Sequence, residues 1–139
     1  MRIAIISDIH GNPIALDAVL ADINGAVDQY LFLGDYAAIG FDPAGVLERI
    51  TALPNATFIR GNTDRYIVTG ERPSPQAKAV FAKPELLPVI MSIDAEFIWA
   101  HGYLAATGWL DWLADLPLDH RLTLPNGAHL LAVHAAPRT

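Results

Sequence analysis

Short apolar runs alternate with helix-type patterns over the first sixty residues, and this alternation constrains the fold more than any other feature. Residues 3–6 are an apolar run bounded by polar residues, which is typical of a strand buried on both faces. Residues 30–33 and 56–59 are predicted to be the second and third strands. Between them, Pro13 and Pro43 each begin a stretch whose apolar residues recur at helical spacing. This order predicts βαβ units, and therefore an α/β fold with a parallel sheet.

The later part of the chain has a different pattern. Several prolines punctuate residues 70–88, which predicts an irregular crossing with one helical turn. Two helices are predicted next, over residues 91–106 and 109–116. Residues 118–124 then alternate between apolar and polar types, and residues 130–133 are apolar, so two further strands are predicted around a Pro-Asn-Gly turn.

Composition limits the possible classes of protein. The chain has 139 residues, of which 53% are hydrophobic, so we expect a single domain, residues 1–139, with a packed core. The absence of cysteine excludes disulfides, thiolate metal sites and a cysteine nucleophile. The net charge of -6 makes general nucleic-acid binding an unfavourable interpretation, although bound metal ions could still attract a phosphate.

The amino terminus does not have the pattern of a secretory signal or a membrane span. The apolar run after Arg2 covers residues 3–6 only, whereas a signal peptide needs roughly 7–15 apolar residues. A membrane helix needs about 20 apolar residues, and no stretch of the sequence approaches that length. We therefore expect a cytoplasmic protein without a membrane partner.

Polar side chains follow four of the predicted strands at the point where each strand ends. They are Asp8, His10, Asp35, Asn62 and His134. Because the carboxyl ends of strands form the ligand crevice of an open α/β sheet, we expect these side chains to lie close together. Carboxylate, imidazole and amide groups together suit Mn, Fe, Co, Ni or Zn. Each residue alone has a simpler interpretation as a helix cap, a turn residue or a surface histidine.

The local spacing gives a physical reason for metal binding. In an extended chain, residues i and i+2 point to the same side, so Asp8 and His10 are predicted to hold one ion together. Gly34 and Gly61 remove side chains directly before two of the ligands, so that the backbone can bend there. A carboxylate can bridge two cations, and Asp35 is the natural candidate for this bridging position in the middle of the predicted ligand cluster. Two cations about 3.5–4 Å apart can clamp a phosphate and activate a water molecule.

These segments resemble successive sequence blocks of the calcineurin-like metallophosphoesterase superfamily, in particular its small bacterial phosphoesterases. The matching segments are Asp8-Ile9-His10, Gly34-Asp35, Gly61-Asn62-Thr63-Asp64 and Val133-His134-Ala135-Ala136-Pro137. The resemblance implies a four-layer fold, in which two facing mixed sheets are flanked by helices. It also implies a metal-dependent hydrolase that cleaves phosphomonoesters or phosphodiesters with a hydroxide bridging two divalent metal ions.

The resemblance also assigns roles to individual residues. Asp8, His10 and Asp35 would hold the first metal ion, and Asp35 would share the second with Asn62 and His134. Asp35 and Asn62 would thereby also be catalytic. The identity of the metals, Mn, Fe, Ni, Co or Zn, is left open.

Two departures from the family pattern affect these expectations. Many relatives have a histidine, taken as the general acid, where this chain has Thr63, whose hydroxyl cannot titrate near pH 7. That change is compatible with phosphodiester chemistry, with good leaving groups, or with help from another residue. The neighbouring Asp64 is predicted to orient a ligand or the substrate, and is counted among the catalytic residues. It has an equally good interpretation as a solvated turn or helix-capping residue.

The second departure is that the family's final G-H-x-H block does not follow His134. His101 and His120 are expected to be structural or exposed rather than to replace it. We therefore expect a domain that is truncated at its carboxyl end, with weakened metal binding and impaired activity. The last predicted strand, residues 130–133, would then have an exposed apolar edge, which favours a homo-oligomer formed by strand pairing.

Two other functions compete with an enzyme. A non-catalytic metal-binding or phosphate-binding module that assembles with a partner is favoured by Thr63 and by the missing histidine block. The intact set of five ligand residues argues against it. A phosphoacceptor domain built on Asp35 is the weaker alternative, because it leaves His10, Asn62 and His134 unexplained.

Overall fold

The computed structural model of the protein describes residues 1–135, which form two sheets and the helices around them. The strands are β1 (Ile3–Ile6), β2 (Gln29–Phe32), β3 (Ala56–Phe58), β4 (Asp119–Thr123) and β5 (His129–Val133). The α-helices are α1 (Pro13–Ile23), α2 (Pro43–Thr51), α3 (Asn62–Thr69), α4 (Leu87–Thr107) and α5 (Leu110–Ala114). Two short 3₁₀ helices, Ala77–Phe81 and Pro84–Leu86, lie between α3 and α4.

The first sheet has the strand order β1-β2-β3, and both pairs are parallel. Helix α1 connects the first pair and α2 connects the second, so the predicted βαβαβ unit is confirmed. Both helices begin with proline after a capping side chain. Asn12 accepts a hydrogen bond from the Ala15 nitrogen at 3.0 Å, and Asp42 accepts one from the Gly45 nitrogen at 2.9 Å. These caps satisfy backbone donors that have no partner inside the helix.

The hydrophobic core lies between the first sheet and the helices. Phe32 of β2 is fully buried, and its ring stacks on that of Phe58 with centroids 5.3 Å apart. The Trp112 ring of α5 meets Phe58 edge to face at 5.4 Å, so α5 is fixed against β3. Leu47 of α2 and Leu104 of α4 are also fully buried. Each such side chain stabilises the fold by about 1.5–3 kcal/mol relative to an exposed position.

Three helical features differ from the sequence-based expectation. Helix α3 was not predicted for two reasons. Its last three residues, 67–69, are β-branched, and the Gly-Asn pair at its start is typical of a turn. Helix α4 begins at Leu87, upstream of the predicted start at residue 91. The irregular crossing contains two 3₁₀ helices rather than one helical turn. Among the residues that the structure describes, no helix combines the length and apolar character needed to cross a membrane.

The second sheet is an antiparallel hairpin of β4 and β5, in which His120 pairs with Ala132. Its start is tied to the first sheet, because the Arg60 nitrogen after β3 donates a hydrogen bond to the Pro117 oxygen at 2.7 Å. Its end is tied there too, since the His134 ring contacts the Leu33 oxygen after β2 at 2.7 Å. The hairpin therefore delivers His134 to the carboxyl ends of β2 and β3.

Candidate metal centre

The five predicted ligand side chains come together at one edge of the first sheet. Asp8 and His10 follow β1, Asp35 follows β2, Asn62 begins α3, and His134 follows β5. His10 Nε2 lies 3.6 Å from Asp8 Oδ1. His134 Nε2 lies 2.9 Å from Asn62 Oδ1. The two pairs meet at Asp35.

Asp35 occupies the centre of this cluster. Its Oδ2 atom lies 3.9 Å from His10 Nε2 and 3.5 Å from His134 Nε2. Its other carboxylate oxygen, Oδ1, accepts a hydrogen bond from the Thr63 nitrogen at 2.9 Å. The side chain is only 5% exposed, so it has little freedom to turn away. One oxygen is therefore fixed, and the other lies between two imidazoles.

The distances within the cluster suit a divalent cation. Metal–nitrogen and metal–oxygen bonds are about 2.0–2.2 Å long, so two ligand atoms on one ion lie between about 3 and 4 Å apart. The ligand atoms of Asp8, His10 and Asp35 all lie within 4.8 Å of one another. The carboxylate–imidazole contacts of 3.5–3.9 Å are longer than ordinary hydrogen bonds, which have heavy-atom distances near 2.7–3.2 Å. The donor set and its spacing therefore fit a metal ion.

The hydrogen bonds of His134 fix which of its ring nitrogens faces the cluster. The Leu33 oxygen, 2.7 Å from Nδ1, can only accept, so Nδ1 carries the proton. In a neutral ring, Nε2 then presents its lone pair towards Asn62 Oδ1, which is another acceptor 2.9 Å away. A cation shared by the two side chains would relieve that contact, and so would a turn of the Asn62 amide that presents its NH₂ group to Nε2. Donation of the second ring N–H to a backbone carbonyl is also the usual arrangement for a metal-ligating histidine.

The backbone is left-handed at three of the five ligand positions. The φ angle is 57° at Asp8, 50° at His10 and 60° at Asp35. The extended-chain argument for Asp8 and His10 was therefore wrong, since a tight turn rather than a strand brings the two together. Such conformations cost on the order of 1–3 kcal/mol each and persist where surrounding contacts impose them. Here the Asp8 nitrogen donates to Gly34 O at 3.1 Å, and the His10 nitrogen donates to Asp35 O at 3.0 Å.

The two glycines before the ligands allow a close approach of two backbone segments. Gly34 has a φ of 97°, and a Cβ atom placed there would lie 2.3 Å from the Gly61 nitrogen. A Cβ atom on Gly61 would lie 2.0 Å from Asp35 Oδ1. Side chains at these positions would thus separate the loop after β2 from the start of α3. The sequence correctly predicted that small residues are needed here, but not that they face each other.

Asp64 lies beneath the cluster and does not reach it. Its carboxylate is fully buried and accepts hydrogen bonds from the nitrogens of Asp35 at 2.7 Å, Tyr36 at 2.9 Å and Gly61 at 3.0 Å. Burial raises the pKa of Asp64, and the backbone hydrogen bonds oppose this shift. The solvated-turn interpretation is wrong, because the carboxylate is fully buried, and the predicted orienting role would act through the backbone of Asp35. Asp64 caps α3 and positions the Asp35 loop.

Tyr36 has a structural role that the sequence did not reveal. Its side chain is fully buried, and its hydroxyl accepts a hydrogen bond from the Gly34 nitrogen at 3.0 Å. The hydroxyl also lies 2.9 Å from Phe32 O and 2.7 Å from Ile59 O, to either of which it can donate its proton. Burial raises the pKa of this phenol. Tyr36 therefore ties the ends of β2 and β3 together below the ligands.

His101, Arg60 and Arg65 make their polar contacts outside the cluster. His101 Nδ1 donates a hydrogen bond to a backbone oxygen of α3 at 2.8 Å, so the expectation that it is structural holds. Arg60 donates to a backbone oxygen of α5 at 3.0 Å, and Arg65 pairs with Glu71 at 3.0 Å. Arg138 and the end of the last sequence block, residues 136–137, lie outside the described residues.

Comparison with known proteins agrees with this geometry. The sequence matches the family model described as calcineurin-like phosphoesterase over residues 1–138. The chain therefore belongs to the calcineurin-like phosphoesterase family, whose members are in general metal-dependent hydrolases of phosphate esters. Among curated proteins no match is found.

Two solved structures are similar to this chain. A metallophosphoesterase from Sphaerobacter thermophilus is 31% identical, with a TM-score of 0.59, over 86% of this chain and 42% of its own. A hypothetical protein from Pyrococcus horikoshii is 23% identical, with a TM-score of 0.67, over 88% of this chain and 50% of its own. The second similarity concerns the fold alone. The chain thus spans half or less of the length of these two proteins.

Proposed function

We propose that this chain carries the metal-binding half of a phosphoesterase that hydrolyses phosphomonoesters or phosphodiesters with two divalent metal ions. The observation that carries this proposal is the position of Asp35 Oδ2 between the imidazoles of His10 and His134. A carboxylate oxygen in that position can be shared by two ions, one on each side. Family membership supports phosphoester hydrolysis in general. The proposal adds that the centre holds two metal ions.

The residues divide into two ligand sets around Asp35. Asp8 and His10 would complete the first set, and Asn62 and His134 the second. Bound divalent cations neutralise phosphate charge and lower the pKa of water, and manganese is the first ion to test. Hydrogen bonds within the chain orient the ligand side chains. The Thr63 nitrogen holds Asp35 Oδ1, and Leu33 O holds the His134 ring. The Asp64 carboxylate holds the backbone of the Asp35 loop.

The state of the Thr63 side chain affects which phosphate esters are expected to be good substrates. Its hydroxyl oxygen is buried without a hydrogen-bond partner among the described residues, and the residue is 8% exposed. A hydroxyl in this state does not supply a proton to a leaving group near pH 7. Esters whose leaving group needs no protonation, such as aryl phosphodiesters, are therefore proposed as better substrates than alkyl phosphomonoesters.

The test is hydrolysis of bis(p-nitrophenyl) phosphate and p-nitrophenyl phosphate with Mn²⁺ added. We expect turnover of the diester, and its loss in Asp35→Asn by a factor of roughly 10² or more, since a central ligand is removed. The matched control is Asp22→Asn, an exposed carboxylate on α1 outside the cluster. Equal activity in Asp35→Asn and Asp22→Asn would contradict the proposal.

A second candidate function is a non-catalytic module that binds metal or phosphate in an assembly with a partner. The buried Thr63 hydroxyl favours it, because the site then has no proton donor at this position. The same assay separates the two functions. Stoichiometric Mn²⁺ binding with no turnover of either ester would support the module and reject the enzyme.

Three further properties belong to the proposal. We take residues 1–139 as one domain of a cytoplasmic protein. The hairpin of β4 and β5 has two strands in the described part of the chain, and Leu131 on β5 is 40% exposed. An exposed strand edge favours pairing between two copies. Light scattering after size exclusion should show a dimer, and a monomer at all accessible concentrations would reject that pairing.

A further inference from the structure

An apolar cleft opens directly beside the proposed metal ligands. Its volume is about 430 Å³, and Asp8 and His10 are among the residues that line it. One wall comes from β1 and α1, with Leu16 and Val19, and the other comes from the loop after β2, with Ile39 and Phe41. The ligand cluster and the cleft thus share two residues, so a molecule held at the metals could extend into the cleft.

The loop that bears Ile39 and Phe41 is fastened at both ends. The Gly11 nitrogen donates to Tyr36 O at 2.7 Å, and the Asp42 nitrogen donates to Gly11 O at 3.1 Å. Between these bonds, Gly40 lies so close to the preceding turn that a Cβ atom on it would be 2.0 Å from His10 O. The position of the loop relative to the ligand turn is therefore set by backbone contacts.

On this fastened loop, two large apolar side chains remain open to solvent. Ile39 is 62% exposed and Phe41 is 63% exposed. Ile39 also has a φ of 77°, a conformation that is unusual for a β-branched residue. Neither side chain packs into the core, so the fold itself does not account for them. Exposed apolar groups grouped beside polar ligands are typical of a binding cleft.

The charge of the lining indicates what the cleft excludes. Among the described residues that line it, none is lysine or arginine, and Asp8 is the one carboxylate. A second phosphate or a carboxylate in the cleft would find no cationic side chain there and would face Asp8. An uncharged apolar group needs no cationic partner and is not repelled by Asp8. It would also cover the exposed side chains of Ile39 and Phe41. The volume exceeds the 150 Å³ or so that holds a benzene molecule.

We propose that this cleft binds the ester group that stays on phosphorus during hydrolysis, and that the substrates are phosphodiesters in which this group is an uncharged aryl or long alkyl group. Ile39 and Phe41 are the specificity-determining residues, and Phe41 supplies an aromatic face. This inference rests on the proposed function, because it takes the phosphate to be held at the metal ligands.

The experiment compares two diesters with the same leaving group, p-nitrophenyl phenyl phosphate and p-nitrophenyl methyl phosphate, with Mn²⁺ present. Phe41→Ala should raise KM for the phenyl ester by about tenfold and change KM for the methyl ester by less than about twofold, with kcat retained. The matched control is Phe81→Ala, which removes a phenyl ring that is 93% exposed and outside the cleft. Equal changes for both esters, or the same changes in Phe81→Ala, would overturn the inference and leave the proposed function intact.

A binding measurement keeps the two proposals separable if neither diester is hydrolysed. In that case fluorescence titration with 1-naphthyl phosphate, in competition with inorganic phosphate, tests the cleft directly, and turnover of p-nitrophenyl phosphate separately tests the proposed function. Preference for the naphthyl ester that is lost in Phe41→Ala and kept in Phe81→Ala would support the cleft as an apolar subsite. Equal affinity for both ligands would overturn it.

Discussion

The Asp64 carboxylate accepts a hydrogen bond from the backbone nitrogen of Asp35 at 2.7 Å, although the two residues are 29 positions apart. This contact joins the start of α3 to the loop after β2. Because Asp35 lies at the centre of the ligand cluster, Asp64 helps to place the central carboxylate through the backbone of this loop.

Replacement of Asp64 by asparagine should weaken both the fold and the site. One carboxylate oxygen becomes an NH₂ group facing backbone N–H donors, and a buried donor without a partner costs about 1–3 kcal/mol. Urea unfolding should show a loss of this size, and calorimetric titration should show weaker Mn²⁺ binding. Asp22→Asn is the surface control. An Asp64→Asn variant that binds Mn²⁺ as the parent does would contradict the positioning role.

The Tyr36 hydroxyl should contribute stability without contributing to metal binding. Tyr36→Phe leaves the Gly34 nitrogen without its acceptor and removes the proton shared by two strand-end carbonyls. We expect a loss of about 1–3 kcal/mol in the free energy of unfolding, with Mn²⁺ stoichiometry unchanged. Tyr103→Phe on the half-buried face of α4 serves as the control. A loss no larger than that of Tyr103→Phe would show that the hydroxyl network is not important.

Alanine at Gly34 should disrupt the site more than alanine at another left-handed glycine. Gly34 and Gly70 have φ values of 97° and 78°, so alanine is strained at both. The space around them differs: a Cβ on Gly34 meets the Gly61 backbone at 2.3 Å, and one on Gly70 meets nothing within 4 Å. Gly70→Ala should cost about 1–2 kcal/mol, and Gly34→Ala distinctly more. Equal melting temperatures for the two variants would contradict the close approach.

His134 should be needed for one of the two metal ions. Its Nε2 atom faces Asp35 and Asn62, whereas the exposed His129 on β5 lies before the ligand position in the hairpin. Metal analysis after dialysis should find fewer ions per chain in His134→Ala than in the parent, with His129→Ala unchanged. Equal metal content in all three proteins would remove His134 from the proposed centre.

Much of the fold followed from sequence patterns because the first sheet consists of short, strongly apolar strands. The continuous apolar run of residues 3–6 predicted the bounds of β1 correctly. The predicted burial on both faces was wrong, because Ile5 is 56% exposed and no residue of β1 is fully buried. Asp8, His10, Asp35 and Asn62 were found because the carboxyl ends of neighbouring parallel strands converge, whereas His134 follows β5 of the second sheet. Their convergence is observed, and their role as metal ligands stays a prediction.

The features that were missed depend on contacts between distant segments. The Asp64 carboxylate caps α3 by accepting a hydrogen bond from the Gly61 nitrogen, and it accepts another from the Asp35 nitrogen. No local sequence pattern predicts this second contact, because Asp35 is distant in the chain. The left-handed backbone at Asp8 and His10 is imposed by the strand-end hydrogen bonds, and the local sequence alone does not predict it. The cleft beside Phe41 was missed for the same reason, because its two walls come from separate connections.

Electron paramagnetic resonance of the Mn²⁺-loaded chain tests the central claim most directly, because two ions that share a carboxylate are magnetically coupled. With two equivalents of Mn²⁺, we predict the spectrum of a coupled pair for the parent protein and the six-line signal of isolated ions for Asp35→Asn. An isolated-ion spectrum from the parent at full loading, or a coupled spectrum that survives in Asp35→Asn, would contradict the placement of Asp35 between two metals.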